Sequence, residues 1–304
     1  MKVIRDQRKA YLLALVAVLF WSTMSSAFKI TLRYIAFDQL LLWASLAGAI
    51  TLLIVNQSGK QAIKIRQLTL KNIGMSALMG FMNPFLYYII LFKAYELLEA
   101  QIAGTLNYFW PIILVLLSIP LLGQKIRWLS VIAIFISFFG LVVISTHGEW
   151  LSFKLAHPLG VALAVGSAFF WALYWILNLK DQREETGKIF LNLLFGFIYI
   201  LVYLLVTKGI ELPKTEGIIG AVYIGVFEMS ITFVVWLKAL QYSSNTAKVS
   251  NLIYLSPFVA LFFIRFAVGE KIYFATVVGL VFIIAGIVLQ QMVSDKSGKK
   301  ENIE

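Results

Sequence analysis

The chain has 304 residues, of which 61% are hydrophobic and 13% charged, and its formal net charge is +11. No single soluble core can bury that much apolar surface, so the composition excludes an ordinary soluble domain. The sequence holds no cysteine, which excludes disulfides and thiolate metal sites. The two histidines, His147 and His157, share one short link, where we expect solvated side chains, no metal centre and no cofactor.

The hydrophobic residues form ten continuous runs, each close to the ~20 residues that a helix needs to cross a bilayer. Continuous rather than alternating runs favour helices over a β-barrel. The first run is long for a signal peptide and no cleavage motif follows it, so we expect it to be retained. The predicted spans are 11–28, 38–56, 72–92, 99–121, 127–146, 157–178, 188–207, 216–237, 245–267 and 272–292. The predicted fold class is all-α, a polytopic membrane protein with ten transmembrane helices.

The positive charges lie in the links between these runs, which indicates membrane orientation rather than binding of nucleic acid. If both termini are cytoplasmic, most of the 26 Lys and Arg residues lie on the cytoplasmic side. The links on the other side hold Lys29, Arg33, Lys93, Lys154, Lys208, Lys214, Arg265 and Lys271. The positive-inside rule therefore predicts cytoplasmic termini.

The second half of the chain repeats features of the first half in the same order. The matched features are FW at 20–21 and 170–171, KA at 93–94 and 238–239, Tyr108 with Pro111 and Tyr254 with Pro257, GQKI at 123–126 and GEKI at 269–272, and Gly140 and Gly286. Each half holds five spans, an odd number, so the second half enters the membrane the opposite way up. We predict two inverted five-helix repeats, 11–146 and 157–292, with a solute site near the midplane between them, as in transporters.

Prolines interrupt three of the spans. Pro111 and Pro257 lie at matched positions within their spans, and Pro84 follows Asn83 in the third span. Proline removes a backbone hydrogen bond, and in lipid a freed carbonyl is tolerated only where protein or a water-filled cavity satisfies it. Packing kinks would also account for such prolines, but matched placement favours a cavity. We predict that the three prolines bend gating helices.

Aromatic and amide side chains share stripes on these interrupted spans. Asn107, Trp110 and Pro111 fall on one helical face, and Trp171 begins a second such stripe in the sixth span. Trp residues near span ends are typical interfacial anchors, whereas Trp21, Trp110 and Trp171 lie deeper. Aromatic faces with a few polar groups suit an apolar or aromatic organic solute rather than a bare ion. The predicted substrate-binding residues are Trp21, Asn83, Tyr88, Asn107, Tyr108, Trp110, Trp171 and Tyr254.

One acidic residue, Glu228, lies well inside a predicted span. Counted back from the KA pair, its match in the first half is Asn83. Acids at membrane depth are costly and are read first as functional. Two interpretations stay open: Glu228 is a proton-coupling carboxyl, or it is a structural acid at the edge of a cavity. Facilitated transport without coupling is equally open.

The doubled pattern, with proline in the fourth and ninth spans followed by a G-[QE]-K turn, resembles the EamA-like branch of the drug/metabolite transporter superfamily. Within that branch, FWST at 20–23, the segment LNYFWPIILVLLSIPLLGQKIRWL at 106–129 and FFWALYWILNLK at 169–180 resemble bacterial aromatic amino acid exporters. The resemblance implies ten helices, a bacterial-type inner membrane, and a central cavity lined by spans 1, 3, 4, 6, 8 and 9. It matches Trp21, Trp110, Trp171, Asn107 and Tyr108 to the family's own residues, whereas Glu228 and the GEKI turn look more like general EamA-like members.

The sequence thus predicts an exporter of small organic metabolites, with aromatic or hydrophobic amino acids first, that works by alternating access. The alternative is proton-coupled efflux of lipophilic cationic drugs or other metabolites through Glu228. No catalytic motif is found in the sequence, so an enzyme is not predicted. The expected partners are a small-molecule substrate and the lipid bilayer, and the expected state is a monomer or weak dimer.

Overall fold

The computed structural model describes residues 6–58, 69–122, 128–149, 157–181, 183–243, 249 and 251–301. Over these residues the regular structure is helical throughout and contains no strand. The GQKI segment at 123–126 lies outside the described residues. The helices are α1 (Gln7–Thr31), α2 (Phe37–Ser58), α3 (Leu70–Leu97), α4 (Ala100–Asn107 and Trp110–Leu122), α5 (Trp128–Ser145), α6 (Pro158–Lys180), α7 (Glu185–Thr207), α8 (Thr215–Tyr242), α9 (Asn251–Leu255, Ser256–Phe263 and Ile264–Val268) and α10 (Phe274–Glu301).

Each of the ten predicted spans coincides with one of these helices, which confirms the polytopic all-α fold. Seven helical stretches are long and apolar enough to cross a membrane, and α5, α9 and α10 contribute shorter apolar stretches within the described residues. The seven are Gln7–Thr31, Phe37–Gln57, Leu70–Leu97, Ala100–Leu117, Pro158–Asn178, Thr186–Thr207 and Thr215–Tyr242.

Side chains before the helices satisfy the N–H groups that a helix start leaves unpaired. The Asp6 carboxylate accepts from the Lys9 N–H at 3.0 Å and so caps α1. The ring of His157 caps α6 in the same way, because its Nδ1 accepts from the Gly160 N–H at 3.1 Å. His147 stacks on Tyr273 with ring centroids 4.9 Å apart. Both residues keep the solvent exposure that the sequence predicted, since His147 is exposed and His157 is partly exposed, and each ring also makes a specific contact near a helix end.

The helices of the two halves pack in matched pairs. α1 packs on α8 and α9, and its counterpart α6 packs on α3 and α4. α2 packs on α8 as α7 packs on α3, while α2 contacts α7 and α5 contacts α10. Exchanging each helix for its match in the other half therefore reproduces the main contacts of the bundle.

Two glycines let helices of opposite halves approach closely. A Cβ added at Gly80 in α3 would lie 2.4 Å from the carbonyl oxygen of Asn192 in α7. A Cβ added at Gly225 in α8 would lie 2.2 Å from the carbonyl oxygen of Ala44 in α2. Just beyond each glycine the helix widens into a π-helical segment, Phe81–Leu86 in α3 and Phe227–Ile231 in α8. These segments hold Asn83 and Glu228, so the two residues that the sequence matched occupy equivalent places.

Candidate functional site

A cavity of about 430 Å³ lies between α1, α3, α4, α6, α8 and α9, the six spans that the family resemblance implies. Its volume falls within the roughly 300–1,000 Å³ of typical small-molecule sites. The cavity wall includes most of the predicted site residues: Trp21, Asn107, Tyr108, Trp110, Pro111, Trp171, Glu228, Tyr254 and Pro257. Their binding roles stay predictions.

Aromatic rings form much of the cavity wall. The ring of Trp21 lies 5.5 Å from that of Trp236 and 5.8 Å from that of Phe233, measured between centroids. On the α6 side, the rings of Trp171 and Trp175 are 5.9 Å apart and nearly perpendicular. Such tilted and edge-on arrangements are favourable among aromatic rings, so the wall is held in place by its own contacts. Its exposed ring surfaces suit a flat, apolar solute.

Tyr87 and Asn107 form a polar corner of the same cavity. The Tyr87 ring stacks on Trp171 with centroids 4.7 Å apart and an interplanar angle of 29°. Its hydroxyl donates to Asn107 Oδ1 at 3.2 Å, and Asn107 Nδ2 donates to Ser167 Oγ at 2.8 Å. These two hydrogen bonds fix the orientation of the Asn107 amide. Of the two adjacent tyrosines, Tyr87 lines the cavity, whereas the sequence favoured Tyr88.

The Glu228 carboxyl lines the cavity from α8 with only 8% of its surface exposed. The Tyr88 hydroxyl donates to its Oε1 at 2.9 Å. Its Oε2 is buried and has no hydrogen-bond partner among the described residues. The described residues that line the cavity include no Lys, Arg or His. Glu228 is therefore the one acidic residue among the described lining residues, and no basic residue among them offsets its charge.

The fourth and ninth spans, which hold the matched prolines Pro111 and Pro257, break at the cavity. α4 is interrupted at residues 108–109, and Pro111 is the second residue of its next helical segment. In α9, Pro257 is the second residue of Ser256–Phe263, directly after a 3₁₀ segment. At such positions proline removes no intrahelical hydrogen bond, so each proline starts a helical segment rather than distorting one. The Tyr108 hydroxyl donates to the Ile253 carbonyl at 2.6 Å and joins the two breaks.

Asn83 and Pro84 do not line this cavity. Together with Tyr88 they border a separate chamber of about 20 Å³ between α3, α6, α7 and α8. The chamber is too small for an organic solute, so the predicted roles of Asn83 and Tyr88 in direct solute binding are not supported by their placement.

A polar network lies at the end of the bundle where α1 ends, here called the distal end. The Glu270 carboxylate accepts from the backbone N–H groups of Ala100, at 2.9 Å, and Gln101, at 3.3 Å. It thereby caps the start of α4 from the other half of the chain. The Gln101 side chain donates to the Lys271 carbonyl at 2.8 Å and accepts from the Tyr273 N–H at 2.9 Å. Ala100 and Gln101 also line the cavity, so this network, here called the distal closure, borders the distal end of the cavity.

Sequence reasoning missed several residues of the wall. Trp236 falls at the predicted end of the eighth span, where an interfacial anchor is expected, but α8 continues to Tyr242 and places it deeper. Gln101 resembles a residue of a polar link because it lies at the start of its span. Ser25 and Tyr95 also line the cavity, and their hydroxyls are 2.7 Å apart. Only a three-dimensional structure pairs residues that lie so far apart in sequence.

Apolar helices that enclose a solute-sized aromatic cavity define a multi-pass membrane protein of the transporter class. The model of the EamA-like transporter family matches residues 8–146 and 158–290, and the chain belongs to this family. The chain is therefore a transporter rather than an enzyme, as the sequence predicted.

The relatives agree on the class of protein. An uncharacterized transporter of Clostridium kluyveri is 26% identical over 97% of this chain and 96% of its own length. The aromatic amino acid exporter YddG of Salmonella typhimurium is 24% identical over 79% of this chain and 82% of its own length. One solved crystal structure superposes with a TM-score of 0.64 over 93% of this chain and 98% of its own, at 19% sequence identity, which shows a shared fold.

Proposed function

We propose that the chain exports aromatic and hydrophobic amino acids across a bacterial-type inner membrane through the cavity between its two halves. The observation that carries the proposal is the wall of tryptophan and tyrosine rings around a space of about 430 Å³. The family membership and the likeness to the exporter YddG support the same reading.

The proposed binding mode follows from the polarity of the wall. The solute ring lies against Trp171 and Trp21, where aromatic contacts are favourable. Its ammonium group lies near Glu228, whose Oε2 has no partner among the described residues. Asn107, held by Tyr87 and Ser167, orients the polar end of the solute.

The proposed transport cycle is alternating access between two inverted five-helix repeats, 11–146 and 157–292, with both termini cytoplasmic. The matched helix contacts and the two family matches support this division. Inverted repeats with broken helices around a midplane site are typical of secondary transporters. The breaks before Pro111 and Pro257, together with the segment at Pro84, would serve as the bending points.

A second candidate function is proton-coupled efflux of organic cations. The observation that favours it is the Glu228 carboxyl in a wall whose described residues carry no positive charge. Such a site attracts an ammonium group and an aromatic body, but it provides no cation for the carboxylate of an amino acid.

Three compounds that share an indole ring separate these functions. Tryptophan carries an ammonium and a carboxylate, tryptamine only the ammonium, and indole-3-propionate only the carboxylate. We would measure counterflow of each in liposomes that contain the purified protein, with and without a proton gradient. Exchange of tryptophan without a gradient supports amino acid transport. Exchange of tryptamine alone supports the cation function. If neither tryptophan nor tryptamine exchanges, both proposed functions are contradicted.

A matched pair of variants ties the result to the cavity. Trp171→Ala removes a ring from the wall, whereas Trp128→Ala removes a ring that is 74% exposed on the outer surface. Only the first variant should lose counterflow. Equal loss in both variants would contradict the assignment of this cavity as the solute path.

A further inference from the structure

A small chamber lies beside the main cavity, and Tyr88 links the two spaces. The Tyr88 ring borders the chamber, while its hydroxyl donates to the Glu228 carboxyl that lines the cavity. Tyr88 is 1% exposed. The other polar side chains in the described wall of the chamber are Asn83, Tyr174 and Asn192.

Two amide oxygens in this wall have no hydrogen-bond partner among the described residues. They are Asn83 Oδ1 in α3 and Asn192 Oδ1 in α7, and these side chains belong to residues that are 8% and 1% exposed. A buried acceptor without a donor is unfavourable, and most buried polar atoms in native proteins are paired. Two unpaired acceptors beside one void therefore indicate a missing donor inside it.

The size and chemistry of the chamber identify that donor. A cavity of about 20 Å³ exceeds the roughly 10–15 Å³ that one water molecule needs and leaves no room for an organic solute. Water carries two donor hydrogens, one for each amide oxygen. We propose that one ordered water molecule occupies the chamber and bridges Asn83 to Asn192, beside the Tyr88–Glu228 hydrogen bond.

The alternative occupant, a monovalent cation, fits less well. A bare cation needs convergent oxygens or charge. The chamber provides two amide oxygens and the Tyr88 and Tyr174 hydroxyls, and the Glu228 carboxylate lies one hydrogen bond away in the main cavity. The Tyr88 hydroxyl already bonds Glu228, and the Tyr174 hydroxyl already accepts from Asn192 Nδ2 at 3.4 Å, so the two neutral amide oxygens favour water.

The bridge is specific to one half of the chain. The Asn192 carbonyl faces Gly80, and the Ala44 carbonyl faces Gly225 in the same way. Asn192 in α7 and Ala44 in α2 therefore occupy matched places in the two halves. The match of Asn83 is Glu228. The pairing of two amides thus has no counterpart in the other half, so packing alone does not explain the amide at 192. The water would connect α3, at its π-helical segment, to α7.

Thermal unfolding of the purified protein in detergent tests this inference, and the test does not depend on the transported solute. The variants are Asn83→Leu, Asn192→Leu and their combination, each measured in sodium buffer and in choline buffer. Leucine has the same branched shape as asparagine, although it is bulkier, and it needs no donor. If a water bridges the amides, each single variant lowers Tm because it leaves the other amide poorly paired. The double variant then loses less than the sum of the two shifts, equally in both buffers.

Other outcomes overturn the proposal. The amides bind nothing if each single variant leaves Tm unchanged or raises it and the shift of the double variant equals the sum of the two single shifts. A Tm of the unsubstituted protein that rises with sodium, with the rise lost in both variants, would identify a cation site. If a variant does not fold, a cryo-EM map of the unsubstituted protein at water-resolving quality decides. Density within hydrogen-bond distance of both amide oxygens supports the bridge, and an empty chamber contradicts it.

Discussion

The Tyr88 hydroxyl donates a 2.9 Å hydrogen bond to Oε1 of Glu228 and so joins α3 of the first half to α8 of the second half. The two residues lie 140 positions apart in sequence. This bond uses one acceptor site of Oε1, and Oε2 is buried without a hydrogen-bond partner among the described residues. A change in the charge of Glu228 would therefore alter both the polarity of the cavity wall and the hydrogen bond between the halves.

We expect Glu228→Gln to separate coupling from binding. Glutamine keeps an oxygen that can accept from Tyr88, but it cannot release a proton. If the carboxyl carries protons, gradient-driven uphill efflux is abolished while counterflow of the same solute survives. The measurement is efflux against a concentration gradient in proteoliposomes at fixed proton gradient. Tyr88→Phe is the companion variant, since it removes only the hydrogen bond. Full uphill efflux in Glu228→Gln would leave Glu228 with a structural role.

We expect removal of the Tyr87 ring to weaken solute binding. Tyr87→Ala removes the partner that stacks on Trp171 at 4.7 Å and also frees Asn107 Oδ1. An aromatic contact is worth about 0.5–1.5 kcal/mol beyond its buried area, so the apparent affinity should fall by roughly two- to tenfold. Tyr87→Phe keeps the ring and should lose less. Concentration-dependent counterflow measures both, and equal losses would show that the hydroxyl rather than the ring matters.

The helices, the matched breaks and the position of nine of the twelve predicted site residues in the cavity wall could be read from the sequence, because they depend on local signals. The binding roles of these residues stay predictions. Apolar runs of membrane length specify helices, and Pro84, Pro111 and Pro257 mark where three of them depart from a regular α-helix. The matched series also paired Asn83 with Glu228 correctly. The structure places both in π-helical segments three residues after a close-packed glycine.

The choice between neighbouring side chains could not be made from the sequence. Tyr87 and Tyr88 are adjacent and chemically identical, and only the widened turn of α3 decides which one lines the cavity. Gln101 and Glu270 pair across 169 positions, and neither lies in a motif that predicts the contact. The π-helical segment also shifts the helical face, so a periodicity of 3.6 residues misplaces the side chains beyond that segment.

We expect Gly80→Ala and Gly225→Ala to destabilise the protein strongly. Their added Cβ atoms would lie 2.4 Å and 2.2 Å from backbone carbonyl oxygens, so whole helices must move apart. Gly74→Ala in α3 and Gly166→Ala in α6 are matched controls, because nothing lies within 4 Å of a Cβ at either position. In these controls alanine should be neutral or stabilise the helix by up to about 1 kcal/mol. Tm in detergent measures all four, and similar values across them would contradict the close packing.

We expect the distal network to depend on pH. Burial raises the pKa of the Glu270 carboxyl above its ordinary value, against the opposing effect of the N–H groups of Ala100 and Gln101. Glu270 therefore takes up a proton at a higher pH than an ordinary glutamate. The protonated carboxyl loses the negative charge that stabilises the N-terminus of α4. Acidification should then loosen the distal closure. The other titratable groups around Glu270 are Lys29 and Glu99, with Tyr273 beside Glu99.

Cysteine accessibility measures this closure, and the sequence holds no cysteine of its own. Ala260→Cys places a thiol in the cavity wall, and Leu212→Cys places one at a position that is 82% exposed. A membrane-impermeant maleimide is added from the distal side, and the ratio of the two labelling rates cancels the pH dependence of the reagent. The ratio should rise as pH falls. With Glu270→Gln, which is neutral at every pH, it should be high and constant. If the ratio changes with neither pH nor the substitution, Glu270 does not control the distal closure.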